Sequence, residues 1–129
     1  MKKMTGLAIS LFLLSHAVAA GQAVPWVQVA QDNAVVMYMD TTSITKNGAH
    51  ATANMLMDFN RDDNGFYSAA QTVQFACKEK TFRLLANKAY TEKMGGGELV
   101  AELKKPTPWQ SIEPGSGWSV ALRHACPKS

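Results

Sequence analysis

The chain contains two cysteines, Cys77 and Cys126, and their pairing is the feature that most constrains how it can fold. In an exported protein, an isolated pair of this kind favours a disulfide bond. Closing a loop of roughly fifty residues would stabilise the fold by about 4 kcal/mol on the chain-entropy model. The alternative is a pair of reactive thiols, but the spacing is not Cys-x-x-Cys, so a redox role is disfavoured.

The first twenty residues have the features of an export signal. Lys2 and Lys3 give a positive start, residues 7–14 form an apolar core, and residues 17–20 are small. The apolar run is too short to span a bilayer, and no cysteine lies near the cleavage region to carry a lipid. We therefore expect a signal peptide at 1–20 and a single domain at 21–129, periplasmic or secreted, with no membrane span and no lipid anchor.

The charge balance disfavours a nucleic-acid partner. The chain has 13 Lys and Arg against 10 Asp and Glu. Removing Lys2 and Lys3 with the signal leaves 11 basic residues against the same 10 acids, a net charge of +1. The remaining basic runs are short and mixed with acids, as in Lys78-Glu79-Lys80, whereas nucleic-acid binders carry a clustered basic face.

Period-two alternation and turn signals predict a series of β-strands. In residues 49–59, the core face should hold Ala51, Ala53, Met55, Met57 and Phe59, with the intervening side chains facing away. Asn47-Gly48 is a strong tight-turn signal, while Asn60 to Gly65 reads as a polar loop. The predicted strands are 26–30, 34–40, 49–59, 66–77, 81–91 and 98–103.

The C-terminal stretch 114–126 predicts a short helix. Ser116 can cap its start, and Pro127 cannot extend it. One apolar face is spaced for a helix and consists of Trp118, Ala121, Leu122 and Ala125. The predicted fold class is α+β: an antiparallel β-meander of about six strands with a short C-terminal helix and one disulfide.

No catalytic constellation is visible in the sequence. Once the signal is removed, His50 and His124 remain, and no serine or cysteine is placed by sequence as a nucleophile beside them. The acidic loop that starts at Asp58 does not match a calcium-binding EF-hand, because its sixth and twelfth positions are Asp63 and Ala69. We expect no enzyme activity and no cofactor.

The methionines suggest one metal hypothesis. Met37 and Met39 lie on one predicted strand, Met55 and Met57 lie on the next, and each pair points to one side. Soft sulfur ligands select Cu(I), although methionine is also a common core residue. A small-ligand or Cu(I) carrier in the periplasm is therefore the alternative function.

An ordered set of features runs from Trp26 to Cys126. Its members are Trp26, Tyr38-Met39-Asp40, Ser43-Ile44, Asn47-Gly48, Leu56-Met57-Asp58-Phe59, Tyr67-Ser68-Ala69, Cys77, Arg83-Leu84-Leu85, Gly95 to Val100, Trp109, Pro114-Gly115-Ser116 and Cys126. In this order the set resembles the surface-adhesin protein E family of small exported bacterial proteins. The resemblance implies an antiparallel sheet and a C-terminal helix tied by a Cys77–Cys126 bond. It also implies binding to host extracellular-matrix or serum proteins such as vitronectin, laminin and plasminogen.

The sequence thus predicts a non-catalytic exported binding domain with a protein macromolecule as its partner. An open sheet edge could accept a strand from a partner or from a second copy, giving a homodimer. An exposed aromatic residue such as Trp109 is another candidate contact, since tryptophan combines a large apolar ring with a polar N–H. An equally open alternative is that Trp109 packs beneath the helix.

Overall fold

The computed structural model describes residues 23–127. The predicted signal peptide, residues 1–20, lies outside the described residues. Within them, no helix is long and apolar enough to cross a membrane. The elements are β1 (Trp26–Gln31), β2 (Val35–Asn47), β3 (His50–Asp63), β4 (Phe66–Ala76), β5 (Thr81–Tyr90), a 3-10 turn (Lys93–Gly95), β6 (Leu99–Glu102), β7 (Gln110–Ser111) and α1 (Gly117–Ala125).

The strands form one antiparallel sheet in the order β1-β2-β3-β4-β5-β6, and β7 pairs with the start of β5. Each of the first six strands therefore lies beside its sequence neighbour, as short connections between antiparallel strands favour. The predicted meander with a C-terminal helix is confirmed. The two-residue β7 was not predicted, because it is shorter than any alternation pattern can reveal.

β2 is longer than the predicted strand, which ended at Asp40. The strand bends there, since its register with β3 shifts between Asp40 and Thr45, but it continues to Asn47. Side chains supply the hydrogen bonds at the bend. The Asp40 carboxylate accepts from the Thr42 N–H at 3.0 Å, and the Ser43 hydroxyl accepts from the Asn54 N–H at 2.8 Å. The polar side chains at the predicted strand end therefore stabilise an irregular stretch of the same strand.

β3 also runs further than predicted and reaches Asp63, inside the expected loop 60–65. The turn itself is Asn64-Gly65, where both residues have positive φ, 57° and 93°. This conformation matches the right-handed twist of a hairpin and suits these two residue types. The Asp62 carboxylate accepts from the Gly65 N–H at 2.7 Å and fixes the turn.

One face of the sheet, the helix face, carries the main core. Alternation along β3 places Ala51, Ala53, Met55 and Met57 on this face, where all four are buried as predicted. The cluster continues through Met37 and Met39 on β2, Ala69, Val73 and Phe75 on β4, Phe82 on β5, and Ala121, Leu122 and Ala125 on α1. The predicted apolar face of α1 is therefore confirmed.

The start of α1 lies unusually close to the sheet. A Cβ at Gly117 would lie 2.7 Å from the Met37 sulfur and 2.8 Å from the Ala30 Cβ. Ser116 caps the helix as predicted, since its hydroxyl accepts from the Ser119 N–H at 3.3 Å. Glycine is needed at position 117 because any side chain would overlap β1 and β2.

The disulfide between Cys77 and Cys126 is present, with the two Cα atoms 5.8 Å apart. Cys77 directly follows β4, and Cys126 is the C-cap residue of α1. The bond therefore fixes the end of the helix to the sheet, as the sequence predicted.

The opposite, outer face of the sheet is covered at one end by residues 91–98. The Ser68 hydroxyl donates to the Glu92 carbonyl at 2.6 Å and accepts from the Gly95 N–H at 2.8 Å. The Asp58 carboxylate accepts from the Met94 N–H at 2.7 Å. Asp58 and Leu56 were expected to face away from the core, but this loop covers them and leaves both buried.

Candidate binding surface

The structure brings the four candidate copper ligands together. Met37 is the register partner of Met57, and Met39 is the register partner of Met55. All four lie on the helix face, and Met39 and Met55 are 0% exposed. Their neighbours are core residues such as Val73 and the apolar face of α1. Packing accounts for this arrangement, and Cu(I) binding stays a prediction.

The other polar candidates are dispersed. In the part of the chain that the structure describes, no three His, Cys, Asp or Glu side chains are grouped to hold a metal ion. His124 is exposed on α1. The acidic stretch that begins at Asp58 is divided, since the Asp58 side chain binds the 91–98 loop while that of Asp62 caps the Asn64-Gly65 turn.

Trp109 lies on the outer face, where 38% of it is exposed. The Arg83 guanidinium carbon stands 4.6 Å from the centre of the Trp109 ring. The ring of His50 lies on the same indole, with centroids 5.3 Å apart and planes inclined by 41°. Trp109 therefore does not pack beneath α1. We call these three residues the Trp109 cluster.

Hydrogen bonds position the residues of the Trp109 cluster. The Thr107 N–H donates to the Leu84 carbonyl at 3.0 Å, and the Thr107 hydroxyl accepts from the Leu84 N–H at 2.9 Å. These bonds tie the proline-rich crossing to the middle of β5, just before Trp109. Gln74 fixes the arginine, since its amide oxygen accepts from the Arg83 Nε at 2.7 Å. The half-buried cation and the exposed indole are thus held in place by the protein itself.

A shallow groove of about 350 Å³ crosses the outer face between this cluster and the 91–98 loop. Its sides include two aromatic rings, Trp26 and Tyr90, and its charged groups are Asp40 and Lys88. Asp40 is already engaged, because its carboxylate binds the hydroxyl of Thr42 at 2.6 Å. The groove is open, and its polar groups are only partly available to a ligand.

Three strands lie at edges of the sheet. Among residues 23–127, β1, β6 and the two-residue β7 each pair with a strand on one side only. The edge strand β6 presents Leu99 and Val100, which are 47% and 50% exposed. Between β6 and β7, the edge of β5 is covered by the segment around Thr107, whose hydroxyl accepts a hydrogen bond from the Leu84 N–H. Among the described edge strands, β1 and β6 are therefore the longer ones with open pairing groups.

The sequence singled out Trp109 but not its two partners. Arg83 and His50 are 33 positions apart in the chain. They meet because β3, β4 and β5 are neighbours, and each residue lies close to its strand's start. The available signal was the pattern Pro106-Thr107-Pro108-Trp109, in which two prolines favour an extended approach to the ring.

Comparison with known proteins supports this description. The surface-adhesin protein E family matches residues 26–127. The selenomethionine form of Haemophilus influenzae protein E has a similar structure, with 17% identity and a TM-score of 0.64 over 84% of this chain and 90% of that one. A structure of protein E from non-typeable H. influenzae matches at 15% identity and a TM-score of 0.55, over 81% of this chain and 76% of that one.

A second crystal form of H. influenzae protein E agrees, with 16% identity and a TM-score of 0.63 over 83% of this chain and 91% of that one. At these identities the likeness establishes the fold. The chain matches none of the curated proteins with which it was compared. The family match covers most of the chain and confirms the resemblance inferred from its ordered motifs. The chain is therefore a member of the surface-adhesin protein E family.

Proposed function

We propose that this protein is an adhesin-like surface protein that binds a host extracellular-matrix or serum protein and catalyses no reaction. In this proposal, residues 1–20 are a cleaved export signal and residues 21–129 form the binding domain, which reaches the periplasm or the exterior. Family membership supports the general role. The proposal of a protein partner depends on the Trp109 cluster.

The chemistry of the Trp109 cluster suits a protein partner. Tryptophan and arginine are the residue types most enriched among the few side chains that dominate protein–protein binding. Here the indole is exposed, and the guanidinium stacked on it is already oriented by Gln74. A contact whose side chains are held in advance loses less conformational entropy on binding.

The open edges offer a second route to association. A β-strand from a partner, or from a second copy, could pair with β1 or β6. The exposed Leu99 and Val100 would add apolar contact at the β6 edge. We propose the β6 edge as the homodimer contact.

Binding of the mature protein to immobilised vitronectin and laminin tests the proposed function. Trp109→Ala should weaken binding at least tenfold, whereas Trp109→Phe should retain part of it. Met94→Ala is the matched control, because Met94 is also an exposed apolar residue, 47% against 38% for Trp109, and lies at the other end of the sheet. The proposal fails if Trp109→Ala binds as well as Met94→Ala, or if the unmutated protein binds no matrix or serum protein.

The four methionines support a second candidate function, Cu(I) binding. Their register pairing places the thioethers on adjacent strands of one face, and thioethers suit Cu(I). Since all four side chains are buried beneath α1, binding would require the helix face to open. Titration with Cu(I) under reducing conditions tests this. Absence of uptake, or equal uptake by Met37→Leu with Met55→Leu, would exclude it.

A further inference from the structure

Basic and acidic side chains are concentrated at opposite ends of the sheet. One end, which we call the disulfide end, contains the β2–β3 turn, the turn after β4 and the end of α1. The other end contains the β1–β2 turn, the β3–β4 turn and the 91–98 loop. The disulfide end is mainly basic: its cations are Lys46, Lys78, Lys80, Arg83 and Arg123, and its acids are Glu79 and Glu113. The other end is mainly acidic: its acids are Asp32, Asp58, Asp62, Glu92 and Glu98, and its cations are Arg61 and Lys93.

Two recesses flank the disulfide at the basic end. The first has a volume of about 430 Å³ and is lined by Lys46, Lys78 and Lys80 around Cys77. The second, of about 340 Å³, shares Lys80 and adds Arg123. Among the residues described, neither lining includes a carboxylate, so four cations converge on a pair of concave surfaces.

None of these four cations forms an ion pair with a described residue. The ion pair in the described part of the chain joins Lys93 to Asp58 at the opposite end, where the nitrogen and oxygen atoms are 3.7 Å apart. The Lys46 ammonium instead lies 3.7 Å from the Cys77 sulfur. Like charges that have no ion-pair partner repel one another, and an anion that binds between them relieves this repulsion.

Lys80 lies in a turn and has an unusual backbone conformation. Lys80 has φ 58°, a left-handed conformation that glycine or asparagine adopts more readily than lysine. Its carbonyl accepts from the Ile112 N–H at 3.1 Å, and its N–H donates to the Ala76 carbonyl at 2.9 Å. Two backbone hydrogen bonds therefore fix the position of Lys80, the residue that the two recesses share.

We propose that the two recesses at the disulfide end bind a sulfated glycosaminoglycan. This inference rests on the proposed function, because it supposes that the protein meets host surfaces. A linear chain with repeated sulfate groups matches cations spread over two adjoining recesses. The recesses contain no aromatic side chain among the residues that line them, so base stacking, which supports single-stranded nucleic-acid binding, is lacking.

Calorimetric titration of the mature protein with heparin tests the proposal. The recess variant combines Lys46→Gln, Lys78→Gln and Lys80→Asn, the last chosen because asparagine tolerates the left-handed backbone. The control variant removes the same charge elsewhere through Lys88→Gln, Lys104→Gln and Lys105→Gln. The recess variant should lose at least tenfold in affinity, and the control less than threefold. Binding by the unmutated protein should weaken as ionic strength rises.

Three outcomes would overturn the proposal: equal losses in both variants, equal binding of desulfated heparin, or tighter binding to single-stranded DNA or to anionic lipid vesicles than to heparin. Thermal unfolding of both triple variants verifies that they fold. Trp109→Ala separates the two hypotheses, because it should lose matrix-protein binding while keeping heparin binding. If matrix-protein binding depends on Trp109 but the recess variant keeps its heparin affinity, this inference fails and the proposed function stands.

Discussion

The indole ring of Trp118 stacks on the phenyl ring of Phe82, with centroids 3.9 Å apart and planes inclined by 14°. The backbone of α1 lies nearest to β1 and β2, whereas Phe82 belongs to β5. The sheet is therefore coiled enough for one side chain to link the helix to a distant strand. Phe75 on β4 lies beside the same indole at 6.5 Å.

Trp118→Ala should lower the free energy of unfolding by about 3 kcal/mol, because it removes this contact and leaves a cavity between α1 and β5. Urea unfolding measures the loss. Trp118→Phe keeps an aromatic ring and should lose less, and the exposed Lys105→Ala should change stability by about 0.5 kcal/mol at most. A loss below 1 kcal/mol for Trp118→Ala would contradict the packing described.

Replacing both cysteines, Cys77→Ala with Cys126→Ala, should lower the free energy of unfolding by about 4 kcal/mol, since the unfolded chain then regains the freedom of an open loop. Urea unfolding with and without a reductant measures this. The reduced unmutated protein should match the double variant, which itself should not respond to reductant. If reductant changes the double variant as much as the unmutated protein, the bond is not the cause.

Gly117→Ala should lower the free energy of unfolding by about 1–3 kcal/mol, although alanine favours helices more than glycine does, because the new methyl group overlaps Met37 and Ala30. A double-mutant cycle with Ala30→Gly measures the overlap. Ala30→Gly should cost less in the Gly117→Ala background than alone, since it removes one side of the clash. Additive losses would show that the approach is looser than described.

The turn before β2 should make stability depend on acid pH. Hydrogen bonds from the Ala34 and Val35 N–H groups lower the pKa of Asp32 from its ordinary value of 3.8. A carboxyl with a lowered folded-state pKa stabilises the fold above its unfolded value and loses that contribution as the pH falls through the folded value. Asp32→Asn should therefore be less stable than the unmutated protein at pH 7, and the difference should vanish at acid pH.

Urea midpoints measured from neutral pH down to below the ordinary pKa of Asp32 test this dependence. Asp32→Ala is the companion variant, because it removes the acceptor of both hydrogen bonds and should stay destabilised across the whole range. A difference between Asp32→Asn and the unmutated protein that persists unchanged in acid would argue against the turn as its source.

Local patterns predicted the order of the six main strands, the helix and its cap, because each depends on neighbouring residues. Alternation along β3 and the Ser116 cap are examples. The bend beyond Asp40 was wrongly predicted to be the end of a strand. The Ser43 hydroxyl in this bend accepts a hydrogen bond from the Asn54 N–H, and Asn54 lies on another strand. The burial of Asp58 was missed for the same reason, because the loop that covers it follows more than thirty residues later.

The candidate site depends even more on contacts between residues that are far apart in the chain, which local patterns do not predict. Trp109 was visible in the sequence as an exposed aromatic candidate, but its stacking on Arg83 depends on a crossing segment held at Leu84. The basic recesses were hidden because Lys46 lies on one hairpin, Lys80 on another and Arg123 on the helix. In linear order these residues look like ordinary scattered charge.

Hydrogen bonds to Ser68 and Asp58 attach residues 91–98 to one end of the outer face. The rest of that face stays uncovered, and the groove residues Asn54 and Lys88 keep exposed side chains. Substitutions at these two positions would change the surface of the protein without disturbing the core between the sheet and α1.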